Sequence, residues 1–215
     1  MEEGLAVYLS NGHFKEEPIV PRAAVLLDLG LYIPLRELAN TFYFSQHEVS
    51  YTEAAALVSY LVKTYGWETF NQFYREITPV NNGSNADALD AALQTHFGKS
   101  LADLEYDFLN YLRLQTVDEK DRVDFQLTVS FYNTVRRYQQ KMDPSAFFLN
   151  AWLPDVPRMR KNGIVADFIR HPDSFLNWQI ETLLISADKN LLAENYTLAR
   201  ANISLVNSLL DLIFR

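Results

Sequence analysis

Few side chains in this sequence could do chemistry, and their spacing restricts what they could do. Four histidines, His13, His47, His96 and His171, are scattered over 215 residues, and no two stand four apart. An H-E-x-x-H segment, which sets two imidazoles on one helix face, is therefore missing. The nearest approach is His47-Glu48-Val49-Ser50-Tyr51, with tyrosine in place of the second histidine, and it reads as a chance match. The sequence has no cysteine, which excludes disulfides, thiolate metal sites and a cysteine nucleophile. A glycine-rich phosphate loop, a nucleophile elbow and a dinucleotide fingerprint are absent too. What remains is carboxylate and phenol chemistry. Glu3, just ahead of Gly4, is by itself an acid in a helix's first turn, where the dipole favours it. Tyr51 offers one hydroxyl donor. His13, His96 and His171 are expected at the surface. The Arg136-Arg137 pair and the Arg158, Arg160, Lys161 cluster are expected to be solvated.

The elements that must position these residues read as helices. Apolar residues make up 48% and charged residues 21%, an ordinary globular composition. Seven glycines and eight prolines are too few for a turn-rich all-β chain of this length. A net charge of −8 argues against nucleic acid or an anionic membrane surface as the main partner. No apolar run approaches the length of a membrane span. An apolar segment over 3–10 ends at the Asn11-Gly12 turn pair. A loop covers 11–22, and helices are expected from Ala23 to Leu31 and, after Pro34, from Leu35 to Phe44. Ser50-Tyr51-Thr52-Glu53 has the spacing of a capping box. It heads an apolar stripe of Tyr51, Ala54, Ala55, Val58, Leu61, Val62 and Tyr65, closed by Gly66. Further helices are expected over 68–77, 86–97 and, capped by Ser100, through Leu112. The polar run at 115–121 is the best internal boundary. Beyond it come a stripe of Val123, Leu127, Phe131, Val135 and Tyr138, a cap at Asp143-Pro144 and an irregular stretch at 153–164. Two closing helices follow, one bearing Phe175, Trp178, Thr182, Leu183 and Ala187, the other running from Leu192 to Ile213. The expected fold is all-α: a multi-helix bundle of short helices over residues 1–116, then a C-terminal helical hairpin region within a second helical domain over 117–215.

Glu3-Gly4-Leu5-Ala6-Val7-Tyr8 resembles the E-G-[LF]-A-x-Y segment of the gluzincin zinc metallopeptidases of the MA clan. Val49-Ser50-Tyr51-Thr52-Glu53-Ala54-Ala55 is similar to the V-S-Y-x-x-A/G-A stretch of the same clan. Tyr60-Leu61-Val62, Tyr65-Gly66-Trp67, Phe97-Gly98 and Leu101-x-x-Leu104-Glu105 follow in the order seen in its bacterial relatives. The resemblance covers about residues 3–114, and it is their order and spacing together that carry it. It implies that Glu3 is the third zinc ligand, which with two histidines of an H-E-x-x-H helix leaves the fourth metal position open for water. It also implies that Tyr51, at the first turn of its helix and pointing into a cleft, donates a hydrogen bond to the developing oxyanion.

The family's histidines and general-base glutamate are not in this sequence. The opening, apolar from Gly4 without a polar lead, suggests a chain that begins inside a larger protein, with those residues upstream. The resemblance then implies the C-terminal helical part of a zinc metallopeptidase. Zinc and a peptide or protein substrate belong to the whole protein, while no zinc and no activity are expected of this chain alone. Relatives are often exported, but the chain itself carries no address, and its oligomeric state is not legible. The alternative is a non-catalytic helical interaction module, or a degenerate relative that kept the scaffold and lost the metal.

Overall fold

The computed structural model describes residues 1–13, 16–142 and 175–214. Among these residues the secondary structure is helical and no strand occurs, so the protein is all-α. The Asp143-Pro144 cap, the stretch at 153–164, His171 and the Arg158, Arg160, Lys161 cluster lie outside the described residues. The chain forms two compact units, Met1–Arg122 and Val123–Arg215.

The first unit contains α1 (Glu2–Ser10), α2 (Ile19–Asp28), α3 (Leu35–Thr41) with a 3-10 turn at Phe42–Phe44, α4 (His47–Tyr65), α5 (Trp67–Glu76), α6 (Asn85–Phe97) and α7 (Leu101–Arg113). Helix α4 is its hub, with α1, α2, α5 and α7 all packed on it. Its residues from His47 to Val58 are all buried, and Tyr60 and Leu61 with them, so the helix is covered on every side over its first turns. A helix buried all round must satisfy or neutralise each polar group it carries. That requirement singles out His47, Glu48, Ser50, Thr52 and Glu53 as residues with a reason to be there.

Local chemistry sets the helix ends, with three corrections to the expected pattern. Ser50 does not cap α4. The helix starts earlier, at His47, because the Gln46 side chain accepts from the Val49 N–H at 2.8 Å. Ser50 is then interior, its hydroxyl donating to the His47 carbonyl at 3.1 Å. Glu53, the expected partner of that box, is turned inward and accepts from the Ile33 N–H at 3.0 Å. Helix α2 begins at Ile19 rather than Ala23, since Pro21 falls in the first turn, where a missing N–H costs nothing. Gly66, at φ 84°, ends α4, and Gly98, in the left-handed region, ends α6. At α6 a capping box is present that was not expected: Ser84 accepts from the Asp87 N–H while Asp87 accepts from the Ser84 N–H at 2.9 Å.

The unit boundary falls within the first turn of α8 (Glu119–Met142). The Asp118 side chain accepts from the Lys120 N–H at 2.9 Å, so the acidic run at 118–121 starts a helix. In the second unit α8 shares one core with α9 (Phe175–Leu192) and α10 (Tyr196–Ile213). Leu127, Phe131, Val135 and Tyr138 of the expected stripe are all in it, beside Ile180, Leu184, Ala199, Ile203, Val206 and Leu210. The expected stripe on α9 is corrected: Phe175 and Trp178 are exposed, and Ile180, Leu184, Ala187 and Leu191 face inward. Leu192 belongs to α9, because Glu194 takes up left-handed backbone (φ 59°) and separates the last two helices. Asn207 donates to the Thr134 hydroxyl at 2.7 Å and accepts from Arg137, which also pairs with Asp211. No helix among the described residues is long and apolar enough to cross a membrane.

Candidate functional site

The site is built on the contact between α1 and α4. A Cβ added at Gly4 would lie 2.6 Å from the Ala54 carbonyl oxygen and 2.9 Å from the Ala54 Cβ. Only glycine lets the two backbones approach that closely. The contact lies one residue after Glu3 on α1 and one helical turn after Tyr51 on α4, and it brings those two residues together.

Glu3 is half-buried, and its carboxylate is shared by two phenols. The Tyr43 hydroxyl donates to Glu3 Oε1 at 3.1 Å. The Tyr51 hydroxyl is pushed well above its ordinary range, first by burial and then by the charge of Glu3, to which it also hydrogen-bonds. Tyr43 is pushed upward as well, by burial and then by its hydrogen bond to Glu3. Both phenols therefore keep their protons across the neutral range and remain donors. Glu3 and Tyr51, the two residues singled out by the sequence, thus lie side by side. Tyr43, in the 3-10 turn after α3, is a third member that sequence reasoning missed.

Contrary to expectation, Tyr51 is not in the first turn of its helix. It lies in the second turn of α4 and is buried, its ring enclosed by aromatic neighbours. The His13 ring stacks on it with centroids 4.4 Å apart and planes at 19°. The His47 ring lies 4.3 Å away and Phe42 4.9 Å away. His47 precedes Tyr51 by one helical turn, which puts both rings on one face of α4. His13 arrives from the other direction. Asn11, in left-handed backbone at the end of α1, and Gly12 (φ 147°) turn the chain back against α4. His13 is therefore not the surface residue expected of a loop histidine: its side chain is only 12% exposed, and its Nδ1 lies 3.1 Å from Glu48 Oε1. Glu48 is itself buried.

The ligand atoms of His13, His47 and Glu48 all lie within 4.8 Å of one another. No pattern in the sequence announces this group, because His13 stands on a turn remote from α4 in the chain. The one legible signal was the His47–Tyr51 spacing. His96, also expected at the surface, has a largely buried side chain on α6, with Nε2 3.1 Å from Glu76.

A further pair of carboxylates lies away from these groups. Glu53, fully buried on α4, is pushed well above the ordinary carboxylate range, chiefly by desolvation and further by the charge of Glu105, while the Ile33 N–H pulls it down. Glu105 accepts from the Tyr32 hydroxyl at 2.9 Å and from the Leu35 N–H at 2.8 Å. The two acids hold the 32–35 turn against α4 and α7, which is a structural task.

The Glu3, Tyr43, Tyr51 group can present a carboxylate beside two proton-bearing phenols, and the neighbouring imidazoles and Glu48 form a second donor set. No family model, curated protein or solved structure matches this chain.

Proposed function

We propose that the chain is the C-terminal helical part of a gluzincin-like zinc metallopeptidase, and that on its own it is inactive. One observation supports this reading above the others. Glu3 and Tyr51 are far apart in sequence, and each stands in a segment that resembles a different motif of that family. The α1–α4 contact makes them immediate neighbours. In the proposed protein the Glu3 carboxylate is one of three protein ligands to the metal. The other two, both imidazoles, lie outside this sequence, so the residues present do not complete that site. Zinc, when bound, supplies carbonyl polarisation and a water of lowered pKa.

The chain's own residues do the positioning. Gly4 fixes the distance between α1 and α4. Tyr43 and Tyr51 orient the Glu3 carboxylate by donating to it, as outer partners of metal ligands do. Tyr51, its proton retained by burial and by the adjacent negative charge, is the donor that turns from Glu3 to a developing oxyanion.

The test is a version extended upstream in frame, assayed for zinc content and for cleavage of a peptide library. Glu3→Ala should lose one equivalent of zinc, the one gained with the upstream residues, and abolish cleavage. Tyr51→Phe should keep the zinc and lower kcat by about 10²–10³-fold. An extended protein without zinc or peptidase activity sinks the family reading. Activity that neither substitution changes removes both residues from the machinery.

A further inference from the structure

We propose that His13, His47 and Glu48 form a binding site of their own for a zinc-like divalent metal, distinct from the Glu3 ligand and independent of the peptidase reading. The donor set is two imidazoles and one carboxylate, the borderline nitrogen and oxygen ligands that suit zinc and its neighbours rather than calcium or magnesium. Metal–ligand bonds of about 2.0–2.2 Å in a tetrahedral shell put donor atoms roughly 3.3–3.5 Å apart. The His13–Glu48 pair is already at 3.1 Å, and the widest separation in the group is 4.8 Å. Closing that gap requires a shift of little more than 1 Å. Of the three residues His13 is the freest to adjust, because it sits on a turn just after Gly12 and not within a helix.

Burial adds a physical reason for a cation here. Glu48 is 1% exposed and His47 6%, and Tyr51 and Phe42 crowd the same spot. A carboxylate so enclosed is costly unless its charge is matched. The contact with the His13 ring matches it through one of its oxygens, whereas a divalent cation held by all three groups matches it fully. The rings are also braced in advance. Tyr51 lies against both imidazoles and limits their rotation, so little ordering is left for binding to do. The residual exposure of His13 gives the ion a route in.

The experiment uses the full 215-residue chain, stripped with a chelator and titrated with Zn²⁺, and separately with Co²⁺ to read the intensity of its visible d–d bands. The expected result is one equivalent of tightly held zinc and the strong bands of a four-coordinate cobalt site. His13→Ala and Glu48→Gln should each weaken binding by about 100-fold or more, at least the loss that follows removal of an outer partner. Glu3→Gln should leave stoichiometry and affinity unchanged. Absence of stoichiometric zinc overturns the proposal. So does zinc that is lost in Glu3→Gln but kept in His13→Ala and Glu48→Gln; that result puts the metal on Glu3 instead. Should either site variant fail to fold, X-ray absorption on the zinc-loaded wild-type chain decides. Two imidazoles in the metal's shell sustain the assignment, and one or none refutes it.

Discussion

Gly4→Ala is the sharpest probe of how this site is assembled, because two well-measured effects oppose each other there. Within a helix, replacing glycine by alanine ordinarily stabilises by about 0.5–1 kcal/mol, since glycine gives up more backbone freedom on folding. Gly4 lies inside α1, with helical neighbours on both sides. Propensity alone therefore predicts a more stable protein. The packing predicts the opposite. The new methyl carbon would sit 2.6 Å from the Ala54 carbonyl oxygen and 2.7 Å from its carbonyl carbon, with the Ala54 Cβ at 2.9 Å. Ordinary contacts start near 3.4 Å. The obstacle is main chain in the middle of the hub helix, so no flexible side chain can swing away. Helix α1 must lift by the best part of an ångström along its contact with α4. Overpacking of this kind costs about 1–3 kcal/mol. Set against the gain in propensity, the net effect is a loss of about 1–2 kcal/mol.

Urea denaturation followed by circular dichroism reads that loss directly, and the melting temperature should fall by several degrees. Ala6→Gly is the matched control: it is an exposed position on the same helix and should cost only the propensity term, about 0.5–1 kcal/mol. A Gly4→Ala protein more stable than wild type would show that the two backbones are not in contact there. The account of how Glu3 reaches Tyr51 would then fail.

Two other substitutions test the buried acids and the caps. Glu53 is pushed above its ordinary value of 4.5, so the folded protein holds a proton that the unfolded chain gives up. Its stabilising contribution is complete below pH 4.5 and is lost as pH rises through the raised value. Glu53→Gln, neutral at every pH and still able to accept from the Ile33 N–H, should match wild type near pH 4.5 and exceed it increasingly toward pH 8 in urea melts; parallel curves would refute the assignment. Ser84→Ala removes one half of the α6 capping box and should cost about 1 kcal/mol. Asp87, held down to about 2 by the backbone of Ser84 and then by Arg36 and the Ser84 hydroxyl, should lose its stabilising contribution as pH falls from its ordinary 3.8 through about 2. An NMR titration of the Asp87 carboxyl with an ordinary midpoint would contradict that.

What could be read from the sequence, and what could not, divides along a physical line. Helix periodicity is local, so the all-α fold and the inward face of α8 were legible residue by residue. Local turn chemistry was legible at Asn11-Gly12, Gly66, Gly98 and Ser100. It misled at Ser50, where the spacing of a cap was present but the Gln46 side chain captured the helix start one turn earlier. The same error made Glu53 a capping residue, when burial turns it toward Ile33. On α9 the bulkiest apolar residues, Phe175 and Trp178, suggested the buried face, whereas the smaller Ile180, Leu184 and Ala187 occupy it.

The site was half legible for a related reason. Glu3 and Tyr51 stand in segments with recognisable neighbours. That they touch depends on the missing side chain at Gly4, which a sequence shows only as one glycine among seven. His13 was expected at the surface, and the structure turns it inward. A histidine after a turn is ordinarily solvated, and only the reversal at Asn11 and Gly12, together with the full enclosure of α4, sends this one inward to Glu48. Once α4 is covered on all sides, each carboxylate buried on it needs a partner from another element. Glu53 finds the Ile33 amide and Glu48 finds His13. The chemistry of this protein therefore follows from the burial of one polar helix, and substitutions that loosen α1 or the 11–13 turn should disturb Tyr51 and its neighbours before they unfold the bundle.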